Sequence, residues 1–285
     1  MAAVFLAGLL CLASGARAQT KVTHYNVTGI FKESRDTGHQ AVIQHEAIPG
    51  YMMAMTMPFT VKHPEEIKPL TPGDQITFRL NVTASDDWID EIQKTGTNVP
   101  AAAAPLAAMK MPEMFQELKI GDLLPDATLT NQSGGVIHLK DFRGQALGFT
   151  FFFTRCPLPT YCPRMNQNLE AVQAALRESP AHTNWQLLSI SFDPEFDTPQ
   201  HLATYAQTYH PDPQHWNFAT TSPAEIQRLA AAFDLMVLPN GGSITHNLRT
   251  VVVDASGRVR KIFTDNGWTP EEFTAAMKQA MEVRP

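Results

Sequence analysis

The 285-residue sequence has no basic run: Lys and Arg together number 22 against 28 Asp and Glu, a net charge of −6. Nucleic acids and anionic membranes reward clustered Lys and Arg, so neither is expected as a partner. It also lacks an internal apolar stretch approaching the ~20 residues of a membrane helix, so no substantial membrane insertion is expected. Cysteine is scarce, with only Cys11, Cys156 and Cys162. The N-terminus lacks the positive charge that usually opens a secretory leader, yet Ala2 to Ala13 is almost wholly apolar and too short to span a bilayer. The small residues Ser14, Gly15, Ala16 and Ala18 then fit a cleavage site before Gln19. Residues 1–18 are therefore read as a signal peptide, with a retained anchor as the alternative. Leu10 is too bulky for a lipoprotein cleavage site at Cys11. Export removes Cys11 and leaves Cys156 and Cys162, six positions apart, in an oxidising compartment. A disulfide, a metal site and a redox pair all suit that spacing. One disulfide across so short a loop stabilises a fold little, which argues against mere stapling.

What is present divides the chain into two parts, in keeping with ~100–200 residues per domain. Residues 19–95 hold short runs rich in Val, Ile, Thr and Phe, such as Tyr25–Phe31, Ala41–Gln44 and Gln75–Val82, with a turn at Thr71-Pro72-Gly73-Asp74. They predict a small antiparallel barrel or sandwich. Residues 96–116, with four consecutive Ala and three Pro, read as a linker. From 117 to 285 strands alternate with helices. Ala146–Phe153 and Trp185–Phe192 are buried strands, and Arg164–Ser179, Pro199–Tyr209 and Ser222–Phe233 are helices. Thr250–Val253 and Val259–Phe263 form a hairpin, and a last helix starts at Pro270 with Thr269 as its cap. The β-α-β then β-β-α order predicts an α/β, thioredoxin-like fold for this part.

Cys156 and Cys162 lie in Phe153-Thr154-Arg155-Cys156-Pro157-Leu158-Pro159-Thr160-Tyr161-Cys162-Pro163, between a buried strand and a helix. At the helix start the macrodipole favours an anion, so Cys162 is expected to have a lowered pKa. The prolines stiffen the loop. His246, after the Gly241-Gly242 approach and before the strand at Thr250, is placed to face the cysteine turn. Two thiolates and an imidazole suit copper, with zinc as the rival metal.

These stretches, with Ser191–Pro199, Thr245-His246 and Val251–Asp254, resemble the Sco/SenC family of copper chaperones. The resemblance implies a thioredoxin fold, delivery of copper to cytochrome c oxidase, and Cys156, Cys162 and His246 as copper ligands. It also implies an acidic residue near the site, Asp193. Asp197 reads as a cap for the helix at Pro199. The family usually has three residues between its cysteines; here there are five.

A second cluster occupies His45 to Phe59, where Met52, Met53, Met55 and Met57 fall. On an extended strand Met53, Met55 and Met57 share a face, with His45 within reach on the strand before. Thioethers favour Cu(I); a methionine-filled core is the plainer reading. His45, Ala54–Phe59 and Gly73–Phe78 resemble the CusF-like periplasmic copper-binding domain. That resemblance implies a five-stranded, OB-like barrel with His45, Met55 and Met57 as Cu(I) ligands. Met52 stands where the family has a capping tryptophan and offers a thioether instead. Met109, Met111 and Met114 suggest a transient Cu(I) perch.

The expected protein is thus a periplasmic copper chaperone that passes Cu(I) or Cu(II) to a cytochrome c oxidase subunit or another copper client. A thiol–disulfide oxidoreductase using Cys156 and Cys162 as a redox-active pair, and simple copper buffering, are the alternatives.

Overall fold

The computed structural model describes residues 21–52, 54–96, 117–179, 183–240 and 243–283. The expected signal peptide, almost all of the linker and the Met109–Met114 perch lie outside them.

The N-terminal region is β1 (Thr23–Arg35), β2 (Gln40–His45), β3 (Met55–Thr60), β4 (Gln75–Val82) and β5 (Asp87–Gly96), an antiparallel sheet in the order β3-β2-β1-β4-β5. Alternation builds its core: Ile76, Phe78 and Leu80 on β4 are buried while Gln75 is exposed. The turn before β4 forms as its sequence predicts. Gly73 takes φ +97°, and the Asp74 carboxylate accepts from the backbone N–H of Thr71 at 2.8 Å. The hydrogen-bonded ladder remains open between β3 and β5. A single bridge, Val61 to Ile89, joins those edges where closure into a barrel was expected.

The C-terminal region runs β6 (Thr128–Asn131), β7 (Val136–His138), β8 (Ala146–Phe152), α1 (Cys162–Arg177), β9 (Trp185–Ser191), α2 (Pro199–Ala206), β10 (Trp216–Thr220), α3 (Pro223–Ala232), β11 (Val237–Asn240), β12 (Ser243–His246), β13 (Thr250–Val253), β14 (Val259–Phe263) and α4 (Pro270–Glu282). Seven strands form one sheet, β14-β13-β8-β9-β10-β6-β7, with β8, β9 and β10 parallel. Every residue of β8 is buried, as its unbroken apolar run requires. At Gly148 a Cβ would come within 2.7 Å of the Phe273 ring, so glycine lets α4 lie against the strand. Thr269 caps α4 in a capping box with Glu272. β11 and β12 pair only with each other, as a separate two-stranded ribbon. No described helix is long and apolar enough to cross a membrane.

The two regions meet at the loop between the cysteines. Tyr51 donates its hydroxyl to the Pro157 carbonyl at 3.1 Å, and Tyr161 donates to the Pro58 carbonyl at 2.7 Å. Thr160 donates its backbone N–H (3.3 Å) and its hydroxyl to the Asp87 carboxylate. Arg164 donates to the Ser85 carbonyl at 2.8 Å. Asp87 is 1 % exposed, and burial pushes its pKa up to about 6 although the Thr160 donors oppose the rise. A raised carboxyl favours the folded state while protonated, and that contribution is lost as pH climbs through 6. Asp87→Asn, which keeps an acceptor for Thr160, is expected to unfold at a higher temperature than the native chain at about pH 7.5, by on the order of 2 kcal/mol, and to match it near pH 4. Thermal melts of both proteins across that range check this. The lowered pKa of His45, caused mainly by burial, acts in the opposite direction but cancels in the comparison.

Candidate metal centre

The site is built where β8 ends and α1 begins. Past Phe152 the chain leaves the sheet, and two short turns shape the loop: Cys156 N–H to the Phe153 carbonyl at 3.3 Å and Tyr161 N–H to the Leu158 carbonyl at 3.2 Å. Two carboxylates after β9 brace the loop's first half. Asp197 accepts from the backbone N–H of Thr154 at 3.0 Å and from its hydroxyl, and Asp193 accepts twice from the Arg155 guanidinium, at 2.6 and 3.1 Å. That guanidinium lies 4.3 Å over the Phe196 ring. The expected role of Asp197 therefore needs correction. Thr198, not Asp197, caps α2, because its hydroxyl is the group that reaches the His201 N–H. Asp193 pairs with Arg155, one residue before Cys156, and none of its described hydrogen bonds goes to the histidine.

Cys162 is the first residue of α1, with Pro163 behind it, and is fully buried; Cys156 is half-buried. The two sulfurs are not bonded to each other. His246 ends β12. Its ring packs beside Phe192 at 4.7 Å and Phe153 at 5.5 Å. Its Nδ1 donates to the Asn247 carbonyl at 2.8 Å, which leaves Nε2 toward the sulfurs, 3.9 Å from Cys162 Sγ. One ligand atom each from Cys156, Cys162 and His246 lies within 4.8 Å of the other two. A single soft ion fits among them.

The two thiols titrate opposite to the order expected from the helix start. For Cys156, burial resists ionisation, but hydrogen bonding to Cys162 and His246 and the field of the imidazole outweigh it and hold the thiol well below its usual pKa. For Cys162, burial comes first and the neighbouring Cys156 sulfur adds to it, so its pKa rises well above normal. Full desolvation with a negative sulfur alongside overrides the macrodipole.

In the N-terminal region, His45 pairs with Met55 and Ile43 with Met57 across β2 and β3, which puts His45, Met55 and Met57 on one face of the sheet. Met53 lies outside the described residues. His45 repeats the His246 device: Nδ1 donates to the carbonyl of the next residue, Glu46, at 2.7 Å. Its Nε2 is buried with no described hydrogen-bond partner. A buried, unpartnered imidazole nitrogen beside a thioether strand fits a soft cation. Met52 and Met57 are both 6 % exposed and line the same cleft as Cys156 and His246. The sequence reading missed this convergence, along with Tyr51, Asp87, Thr160 and Tyr161, which hold it together. The one signal was a cysteine loop holding Leu158 and Tyr161, unusually apolar for an exposed turn.

Both regions of the chain match families of known proteins. The family model SCO1/SenC matches residues 119–282, and that of the copper-binding periplasmic protein CusF matches residues 24–94. A SCO1 protein homolog of Bacillus subtilis is 28 % identical over 162 residues, covering 55 % of this chain and 82 % of its own. The mitochondrial SCO2 homolog of Bos taurus is 38 % identical over 86 residues, covering 30 % of this chain and 32 % of its own. Among solved structures, a SCO1/SenC family lipoprotein from Bacillus anthracis superposes with a TM-score of 0.51 at 27 % identity, over 58 % of this chain and 98 % of that one. BsSco, described as a member of the Sco family of cytochrome c oxidase assembly proteins, gives 0.51 at 26 % identity, over 59 % and 100 %. The chain belongs to the SCO1/SenC family, with a CusF-like region before it, and copper is the metal that both families bind.

Proposed function

We propose that the protein is a periplasmic copper chaperone of cytochrome c oxidase assembly. Its N-terminal domain captures Cu(I) at His45, Met52, Met55 and Met57. Its C-terminal domain holds copper at Cys156, Cys162 and His246 and releases it to an oxidase subunit. The observation that carries the reading is the convergence of two sulfurs and one imidazole nitrogen within 4.8 Å, from residues up to 90 positions apart in the chain. Cu(I) suits both donor sets, and thioethers remain usable in an oxidising compartment where thiols are lost. The reduced protein is expected to bind two Cu(I). Cys156→Ser removes one of them, and Met55→Leu weakens the other without touching the first. Titration against a Cu(I) chelator with metal counting checks this, and an unchanged count of two in both variants sinks the proposal.

The asymmetry of the cysteines favours a second reading, thiol–disulfide exchange, in which Cys156 attacks and the buried Cys162 resolves. Its first requirement is selective reactivity. Iodoacetamide at neutral pH is expected to modify Cys156 well before Cys162, read by peptide mass spectrometry. On a metal-free peptide disulfide, turnover lost in Cys156→Ser but kept in His246→Ala supports exchange; loss of turnover in neither variant excludes it.

A further inference from the structure

The two proposed copper sites open into one cleft. Met52 and Met57 form one wall, Cys156 and His246 the other, around about 370 Å³ of space that is partly open to solvent. Much of the remaining lining is Phe153, Leu158 and Ile244, which offer no competing ligand. The hydrogen bonds that close the cleft attach beside the ligands themselves. Tyr51, one residue before Met52, donates to the carbonyl of Pro157, one residue after Cys156. Reciprocally, Tyr161, one residue before Cys162, donates to the carbonyl of Pro58, one residue after Met57. Tyr51 is further held by stacking on Tyr25 with ring centroids 4.6 Å apart, and the Thr160–Asp87 contact pins the cysteine loop two residues before Cys162. The strand that carries His246, β12, packs against β3, which carries Met57.

We infer that Cu(I) crosses from the methionine wall to the cysteine wall inside this cleft, through a mixed-ligand state in which a thioether of Met57 or Met52 and the thiolate of Cys156 hold the same ion. This rests on the copper-carrier reading and adds a route to it. The exchange is balanced: each Cu–thioether bond that breaks is replaced by a Cu–thiolate or Cu–imidazole bond. Copper remains Cu(I) throughout, and a thiol that joins the ion gives its proton to solvent. Copper then sits on stronger, charged donors, which gives the transfer its direction. Holding the two walls together makes the step intramolecular and spares the ion a passage through bulk water.

The test uses the full reduced chain and a Cu(I)–chelator complex as donor, following the growth of the thiolate–Cu(I) ultraviolet band by stopped flow. Met57→Leu replaces the thioether with an alkyl group of similar volume, and Tyr51→Phe/Tyr161→Phe removes only the two clamping hydroxyls. Both variants are expected to load the cysteine site at least about tenfold more slowly, while the final band keeps its native amplitude. A native rate in either variant overturns the inference and leaves the carrier reading standing. Absence of the band in the native chain instead defeats the carrier reading itself.

Discussion

The cysteine cluster and the join between the two regions depend on the nine residues that lead from the end of β8 to the start of α1. That turn must bring a half-buried sulfur and a buried one together, leave space for an imidazole from a distant strand, and offer backbone carbonyls to a second region of the chain. It can do so because its own polar groups are already satisfied. Asp197 takes the Thr154 donors, Asp193 takes Arg155, Asn266 donates to the Thr160 carbonyl at 3.0 Å, and Asp87 takes Thr160. A loop whose hydrogen bonds are committed outward in this way holds its sulfurs at fixed separation without a covalent link between them.

The strands and helices were legible because their signals are local. The apolar run of β8, the 3.6-residue spacing of Leu169, Val172 and Leu176 in α1, and the Thr269–Glu272 capping box each declare themselves within a few residues. The three residues of the C-terminal cluster were legible for a different reason. With Cys11 assigned to the leader, few sulfurs remained to choose from, and the thioredoxin-like order of elements placed His246 near them. The family resemblance then supplied what spacing alone did not.

The long-range electrostatics were less legible. Asp197, expected to cap α2, instead accepts from Thr154, because which acid reaches Thr154 and which reaches Arg155 depends on how the chain leaves β9. Likewise the helix start pointed to Cys162 as the acidic thiol. Full burial reversed that order, and the degree of burial of one sulfur relative to another six residues away is a tertiary property. The meeting of the methionine strand with the cysteine loop lay furthest from view, since its contacts join residues such as Tyr51 and Pro157 across 106 positions.

The ribbon formed by β11 and β12 has a consequence of its own. Among the described residues it joins neither large sheet, and at its base Asn247 accepts from the Met236 N–H at 2.8 Å and donates to the Asp234 carbonyl at 2.9 Å. The imidazole therefore comes from an element that shares no sheet with the strand leading to the cysteines, and its position beside the sulfurs is set by side-chain packing on Phe192 and Phe153 and by the Nδ1 bond to the Asn247 carbonyl.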